Sequence, residues 1–203
     1  NKNIKIVNFD KSLDNEDIFD LTIIATPPYN HLESFEKIKD VSNKVLIEKP
    51  LTNNFDYVFG NELKVYLGKK KFLESLMYFH HPVWFKVKKI IETENIISIE
   101  SNFSVPHIKE ASFRYNKILG GGSLNDQGIY PISLIGELIN DEYEISSLKI
   151  YREDNYEVDL GGEIEIIFDS IRFTGTWGLG KEYKNYLKMM DDNNNEYLIN
   201  FFF

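Results

Sequence analysis

The chain contains no cysteine, so disulfides, thiol nucleophiles and thiolate metal sites are excluded. It has no apolar run approaching the roughly 20 residues needed to span a bilayer. Basic clusters are scarce: Lys69-Lys70-Lys71 is the one run, it reads as a solvated helix end, and the net charge is −9. A surface of that sign repels nucleic acid and anionic membrane, because phosphate binding rests on clustered Lys and Arg. No Gly-X-Ser-X-Gly elbow exists, so a serine triad of that kind has no support. Gly178-Leu179-Gly180 stands alone in a β-rich stretch and opens no βαβ unit, so it is not a phosphate loop. His80 and His81 are adjacent. On an extended backbone they would point to opposite faces, which gives a metal site no usable spacing. What is present is 42% apolar and 14% aromatic residues over 203 positions. That supplies the core of one large domain or two small ones.

Residues 1–78 alternate strand and helix, the pattern of a parallel sheet. Ile4 to Asn8 is a short apolar strand, and Asp14 to Asp17 places acids at a helix start. Leu21 to Ala25 is a buried strand that runs into Thr26-Pro27-Pro28. His31 to Lys39 is a helix, and Lys44 to Ile47 is a second buried strand ending in Glu48-Lys49-Pro50. Thr52 or Asn53 can cap a helix running to about Leu67, with Gly68 as its C′ residue. Phe72 to Met77 reads as a third strand. Residues 80–203 change style. A helix from about Val83 to Glu92 leads to the strand Ile96–Val105. Gly120-Gly121-Gly122 then opens a helix from Ser123 to about Ile139. The remaining strands are 147–152, 162–168, 171–177, 183–189 and 196–203, joined by short turns such as Asp169-Ser170. A largely antiparallel sheet with the 123–139 helix on one face is expected.

The chemistry collects just beyond the carboxyl ends of parallel strands, and both Thr-Pro-Pro and Glu-Lys-Pro lie there. Lys49 is held extended by the following proline, which aims its amine; near a carboxylate it can move a substrate proton. The plain alternative is a surface lysine after a strand. Asp126 and Tyr130 are four apart on a predicted helix and share a face. The tyrosine hydroxyl can pass a proton and the carboxylate can position a substrate, or the pair is an ordinary helix flank with a half-buried Tyr. Pro131 removes a backbone bond and should kink or loosen that helix. His31 either contacts a ligand or caps the helix it begins.

Taken together, three segments resemble the Gfo/Idh/MocA oxidoreductases. These are Asp20-Leu-Thr-Ile-Ile-Ala-Thr-Pro with His31, Glu48-Lys49-Pro50, and Phe113-Arg114-Tyr115 followed by Gly120-Gly-Gly-Ser-Leu-Asn-Asp126-Gln-Gly128-Ile-Tyr130-Pro131. The resemblance covers essentially the whole chain and is least secure after about residue 145. It implies an α/β protein: a Rossmann-type parallel sheet, incomplete here, over 1–79, then an α+β substrate and oligomerisation domain over 80–203 with an open, mostly antiparallel sheet. It implies NAD or NADP as cofactor and a sugar, sugar derivative or polyol as substrate. Ala25, Thr26, Pro27, His31, Glu48 and Lys49 would line the cofactor. Arg114, Asp126 and Tyr130 would bind substrate, with Lys49, Asp126 and Tyr130 as the catalytic set. A homo-oligomer through the second sheet and a cytoplasmic location are further expectations.

The departure is at the front. The family begins with a strand, a Gly-X-Gly-X-X-Gly loop and a helix that hold the pyrophosphate, and this sequence has none of them. Leu198 to Phe203 also stops within an apolar strand, and Asn1 is not an initiator methionine. The expectation is an internal portion of a longer protein, and a targeting segment could precede Asn1. The same fold also serves regulators that sense dinucleotide without turnover, so a non-catalytic binding module or an inactive fragment is the alternative reading.

Overall fold

A computed structural model describes residues 18–53, 72–109, 112–139 and 142–203. The strand expected at 4–8, the helix start at 14–17, and the expected helix beyond its cap, 54–67, with Gly68 and the Lys69–Lys71 run lie outside these residues.

The first sheet is parallel, with strands β1 (Thr22–Ile24), β2 (Val45–Glu48) and β3 (Phe72–Ser75) side by side in that order. Ile24 pairs with Ile47, and Ile47 with Glu74. Helix α1 (His31–Ile38) crosses from β1 to β2. It buries Phe35 and Ile38 against Ile24, Val45, Ile47 and Phe72. This apolar face, rather than intrinsic propensity, holds so short a helix. The third strand is shorter than expected because the chain turns into a 3-10 segment, Met77–His80, and then into α2 (Pro82–Thr93). His81 caps α2, its Nδ1 accepting the Val83 N–H at 3.2 Å, and Pro82 occupies the first turn, where no donor is needed.

The second sheet has the order β5-β6-β7-β4-β8-β9. Its strands are β4 (Ile96–Val105), β5 (Glu144–Arg152), β6 (Asp159–Phe168), β7 (Ile171–Leu179), β8 (Lys184–Asp191) and β9 (Glu196–Asn200). The hairpins expected from the turn residues are present. Asp169 and Ser170 both have positive φ, 46° and 65°, the backbone a two-residue hairpin turn requires. Asp191 Oδ1 accepts the N–H groups of Asn193 and Asn195 and so shapes the β8–β9 turn. The sheet is mixed, because β4 sits between β7 and β8 and runs parallel to β7.

Helix α3 (Ile129–Leu138) packs Tyr130, Leu134 and Ile135 onto this sheet, against a core that includes Ile99, Phe173, Trp177 and Met189. The expected single α-helix over 123–139 is in fact a π turn, Leu124–Gly128, followed by α3. Pro131 has no N–H to return to the preceding turn, and the helix widens just before it. The last strand is also shorter than expected. Phe201 adopts φ 55°, and Asn185 grips Phe203 through both its N–H and its carbonyl, each at 2.9 Å. Phe202 therefore leaves the ladder and is buried beside Tyr78. No helix among the described residues is long and apolar enough to cross a membrane.

Candidate active site

Lys49 emerges from the carboxyl end of β2, and the Lys49-Pro50 peptide is cis. Its Nζ donates to the Asp126 backbone carbonyl at 2.7 Å and to Asp126 Oδ1 at 2.8 Å. The two side chains are largely withdrawn from solvent, with 15% and 13% exposure. The same ammonium lies 5.1 Å from the centre of the Tyr130 ring, a cation–π contact. Residues 77 positions apart in sequence thus meet at one point.

Asp126 is the hub. Its Oδ2 accepts from Arg114 Nε and, at 2.6 Å, from Gln127 Nε2. Burial alone would raise its pKa. The Lys49 charge and hydrogen bond, with those of Arg114, outweigh that and hold the carboxyl below its ordinary value. It is therefore an anion at neutral pH. Tyr130 is buried and pushed up to about 12, first by loss of water and then by the negative charges of Asp126 and Glu48. Its hydroxyl makes no hydrogen bond among the described residues, while its ring packs on Phe103 and Phe203 at 4.7 and 5.4 Å. Across neutral pH it holds its proton, with no hydrogen-bond acceptor for it among the described residues.

Local sequence explains the assembly. Arg114 lies in a single 3-10 turn, Phe113–Tyr115, started by Ser112 Oγ accepting the Arg114 N–H. The glycine run then folds back over that turn, and Gly122 N donates to the Arg114 carbonyl at 2.9 Å. A Cβ at Gly121 would stand 2.5 Å from the Arg114 carbonyl oxygen, and Gly122 has φ 116°, so neither position accepts a side chain. Asp159 Oδ2, from β6, accepts the Ser123 hydroxyl and the Leu124 N–H at 2.5 and 2.7 Å and fixes the start of the π turn.

The residues expected along the cofactor separate into two groups. Ala25 and Thr26 line a groove of about 390 Å³ between β1 and α1 that includes none of Lys49, Asp126 and Tyr130. Pro27 precedes a short 3-10 turn, Pro28–Asn30, and Glu48 is half-buried beside Lys49. His31 is different. It is fully buried, and its Nδ1 and Nε2 lie 2.8 and 2.7 Å from the carbonyl oxygens of Pro50 and Thr26. The ring therefore stands behind the loops with no edge free for a ligand, and it does not cap α1 through its side chain. Beside it, Glu74 Oε1 accepts the Leu51 N–H at 2.6 Å. Burial pushes Glu74 up, against the Leu51 bond and the charges of His31 and Lys49.

Gln127, Asp159 and Phe203 belong to this site, and sequence reading did not find them. Adjacent residues on an α-helix face different ways, and only the π turn brings Gln127 back onto Asp126. Asp159 and Phe203 come from distant strands and carry no local signal.

No protein-family model matches the chain. Sequence comparison finds oxidoreductases. A dTDP-3,4-didehydro-2,6-dideoxy-alpha-D-glucose 3-reductase of Actinomadura kijaniata is 28% identical over 156 residues, covering 74% of this chain and 46% of that protein. Oxidoreductase P35 of Formosa agariphila is 24% identical over 180 residues, covering 82% and 55%. The chain spans about half the length of the curated relatives it matches. Among solved structures, KijD10, a 3-ketoreductase from Actinomadura kijaniata in complex with NADP and TDP-benzene, superposes with a TM-score of 0.74 at 23% identity, over 85% of this chain and 55% of that one. Aldose-aldose oxidoreductase from Caulobacter crescentus gives 0.71 at 16% identity, over 88% and 59%. The structural likeness shows the fold: a Rossmann-type parallel sheet followed by an α+β portion with an open mixed sheet.

Proposed function

We propose that the protein is an NAD(P)-dependent oxidoreductase of the Gfo/Idh/MocA type, which moves hydride between the nicotinamide and a carbon of a sugar derivative. The observation that carries this reading is the convergence of Lys49, Arg114, Asp126 and Tyr130 at the carboxyl end of a parallel strand. The sugar 3-reductase relatives support a keto-sugar as substrate, with a nucleoside diphosphate sugar the first class to test. In this reading residues 1–79 serve the cofactor and residues 80–203 the substrate.

The residues present fit the nicotinamide end of a dinucleotide. Ala25-Thr26-Pro27 and Glu48-Lys49 leave adjacent parallel strands side by side, since Ile24 pairs with Ile47. When bound, the nicotinamide gives or takes the hydride. Lys49 keeps one N–H beyond those given to Asp126 and points it at the substrate oxygen, which favours developing negative charge there. Tyr130 donates its proton to the alkoxide oxygen formed as hydride reaches the carbonyl carbon, and the neighbouring Arg114 charge stabilises the phenolate left behind. Asp126 holds Lys49 in place and, with Arg114, orients the sugar. The exposed apolar side chains of β5, Leu148 and Ile150 among them, support a homo-oligomer built on this sheet.

The test is reduction of keto-sugars by NADPH or NADH in wild type and Lys49→Ala. The expected result is a fall in kcat of roughly 10²- to 10⁴-fold, with cofactor affinity in a fluorescence titration nearly unchanged. Equal turnover in both proteins would remove Lys49 from the mechanism.

A further inference from the structure

Both ring nitrogens of His31 face acceptors. Pro50 and Thr26 each offer a carbonyl oxygen, at 2.8 and 2.7 Å, and a carbonyl cannot donate. A neutral imidazole has one N–H and one lone pair. One of these short contacts would then set a lone pair of a fully buried ring against a carbonyl oxygen, buried at Pro50 and part-buried at Thr26, and lose that hydrogen bond. Only the doubly protonated ring satisfies both contacts. The charged groups beside it are Glu74 on β3, whose carboxylate interacts with both His31 and Lys49, and Lys49 itself at the end of β2. Glu74 supplies the counter-charge, and its direct hydrogen bond goes to Leu51 N–H, in the same turn as Pro50.

We propose that His31 is a positioning residue that acts as a buried imidazolium staple, tying the turn after β1 to the turn after β2 and so fixing where Lys49 stands. The two bonded carbonyls belong to the residue after Ala25 and the residue after Lys49, so the staple crosses the gap between the two strand exits within one residue of the reacting amine. This rests on the hydride-transfer reading for its functional consequence, though not for the protonation state. The staple explains why a histidine, and not an amide, suits this position. A glutamine can donate to one carbonyl, but its own oxygen would face the other. Misplacing a catalytic group by about 1 Å can cost on the order of 10²-fold in rate.

Two measurements on the full chain test it. The first is a long-range proton–nitrogen NMR spectrum of the histidine rings at about pH 7.5, where a free imidazole of pKa roughly 6.5 is mostly neutral. The sequence has 4 histidines, so His31 is assigned by His31→Gln, or by elimination with substitutions at His80, His81 and His107. The expected result is a ring with both nitrogens protonated. One protonated and one lone-pair nitrogen would overturn the proposal. The second is the kinetics of His31→Gln. The staple expects kcat to fall tenfold or more while cofactor affinity changes less than threefold, and an unchanged kcat would overturn the positioning role. A wild-type protein with no turnover on any keto-sugar but a doubly protonated ring would sink the hydride reading and leave the staple standing.

Discussion

Tyr130→Phe separates chemistry from stability in this protein, and Tyr78→Phe is its control. The Tyr130 ring touches Phe103, Phe203, Tyr78 and the Lys49 ammonium, and phenylalanine keeps every one of those contacts. Its hydroxyl has no hydrogen-bond partner among the described residues, so removing it should change unfolding free energy by no more than about 0.5 kcal/mol. The same hydroxyl is the proposed proton donor, and its loss should lower kcat for keto-sugar reduction by roughly 10²- to 10⁴-fold, about 3 to 5 kcal/mol of barrier. Tyr78 reverses the pattern. Its hydroxyl hydrogen-bonds Ser133 Oγ at 2.9 Å, and burial raises its pKa strongly. Tyr78→Phe should cost about 1 kcal/mol and leave turnover within about twofold of wild type. The assays are chemical denaturation at neutral pH and initial rates of reduced-nicotinamide oxidation on the same preparations. The pH profile adds a check. Tyr130 is pushed up to about 12, so reduction should hold its rate through neutral pH and lose it only in strong alkali. The reasoning fails if Tyr130→Phe keeps wild-type turnover, or if it destabilises the protein as much as Tyr78→Phe does.

Asp126→Asn should destabilise the protein by about 3 kcal/mol at neutral pH, because Lys49 and Arg114 lose their shared anion in a largely buried site. The sign with pH follows from the depressed carboxyl: the wild-type advantage is present above its unfolded value of 3.8 and disappears as pH falls through the lower folded value, which acid titration of both proteins would reveal. Gly121→Ala should cost about 2 to 4 kcal/mol, since its Cβ would meet the Arg114 carbonyl at 2.5 Å. It should also lower kcat by displacing Arg114, measurable in the same two assays. Replacing Leu148 and Ile150 on β5 with lysine should shift the protein to a smaller species in light scattering without altering its circular dichroism, if that sheet is the subunit contact.

Much of this was readable in the residues. Alternating apolar runs and Pro/Gly punctuation located β1, α1, β2 and the hairpins of the second sheet, because strand period and turn chemistry are local. Lys49, Asp126 and Tyr130 were legible as a set only through their resemblance to known motifs, since nothing local says that positions 49 and 126 touch. The rest depended on long-range geometry. β4 beside β7 is a topological choice that no turn encodes. The π turn that swings Gln127 onto Asp126 arises from a proline several residues downstream and the Asp159 anchor from another sheet strand. His31 was the instructive miss: its position after Thr-Pro-Pro suggested a ligand contact or a cap, and only the paired carbonyls of Thr26 and Pro50 reveal a buried brace.

The most direct test of the central claim is single-turnover reduction of a nucleoside diphosphate keto-sugar by nicotinamide carrying deuterium at C4, in wild type and Lys49→Ala. The account expects deuterium on the carbon of the new alcohol, transferred at least about 10²-fold more slowly by the variant. A product without deuterium, or equal transfer by both proteins, would contradict it.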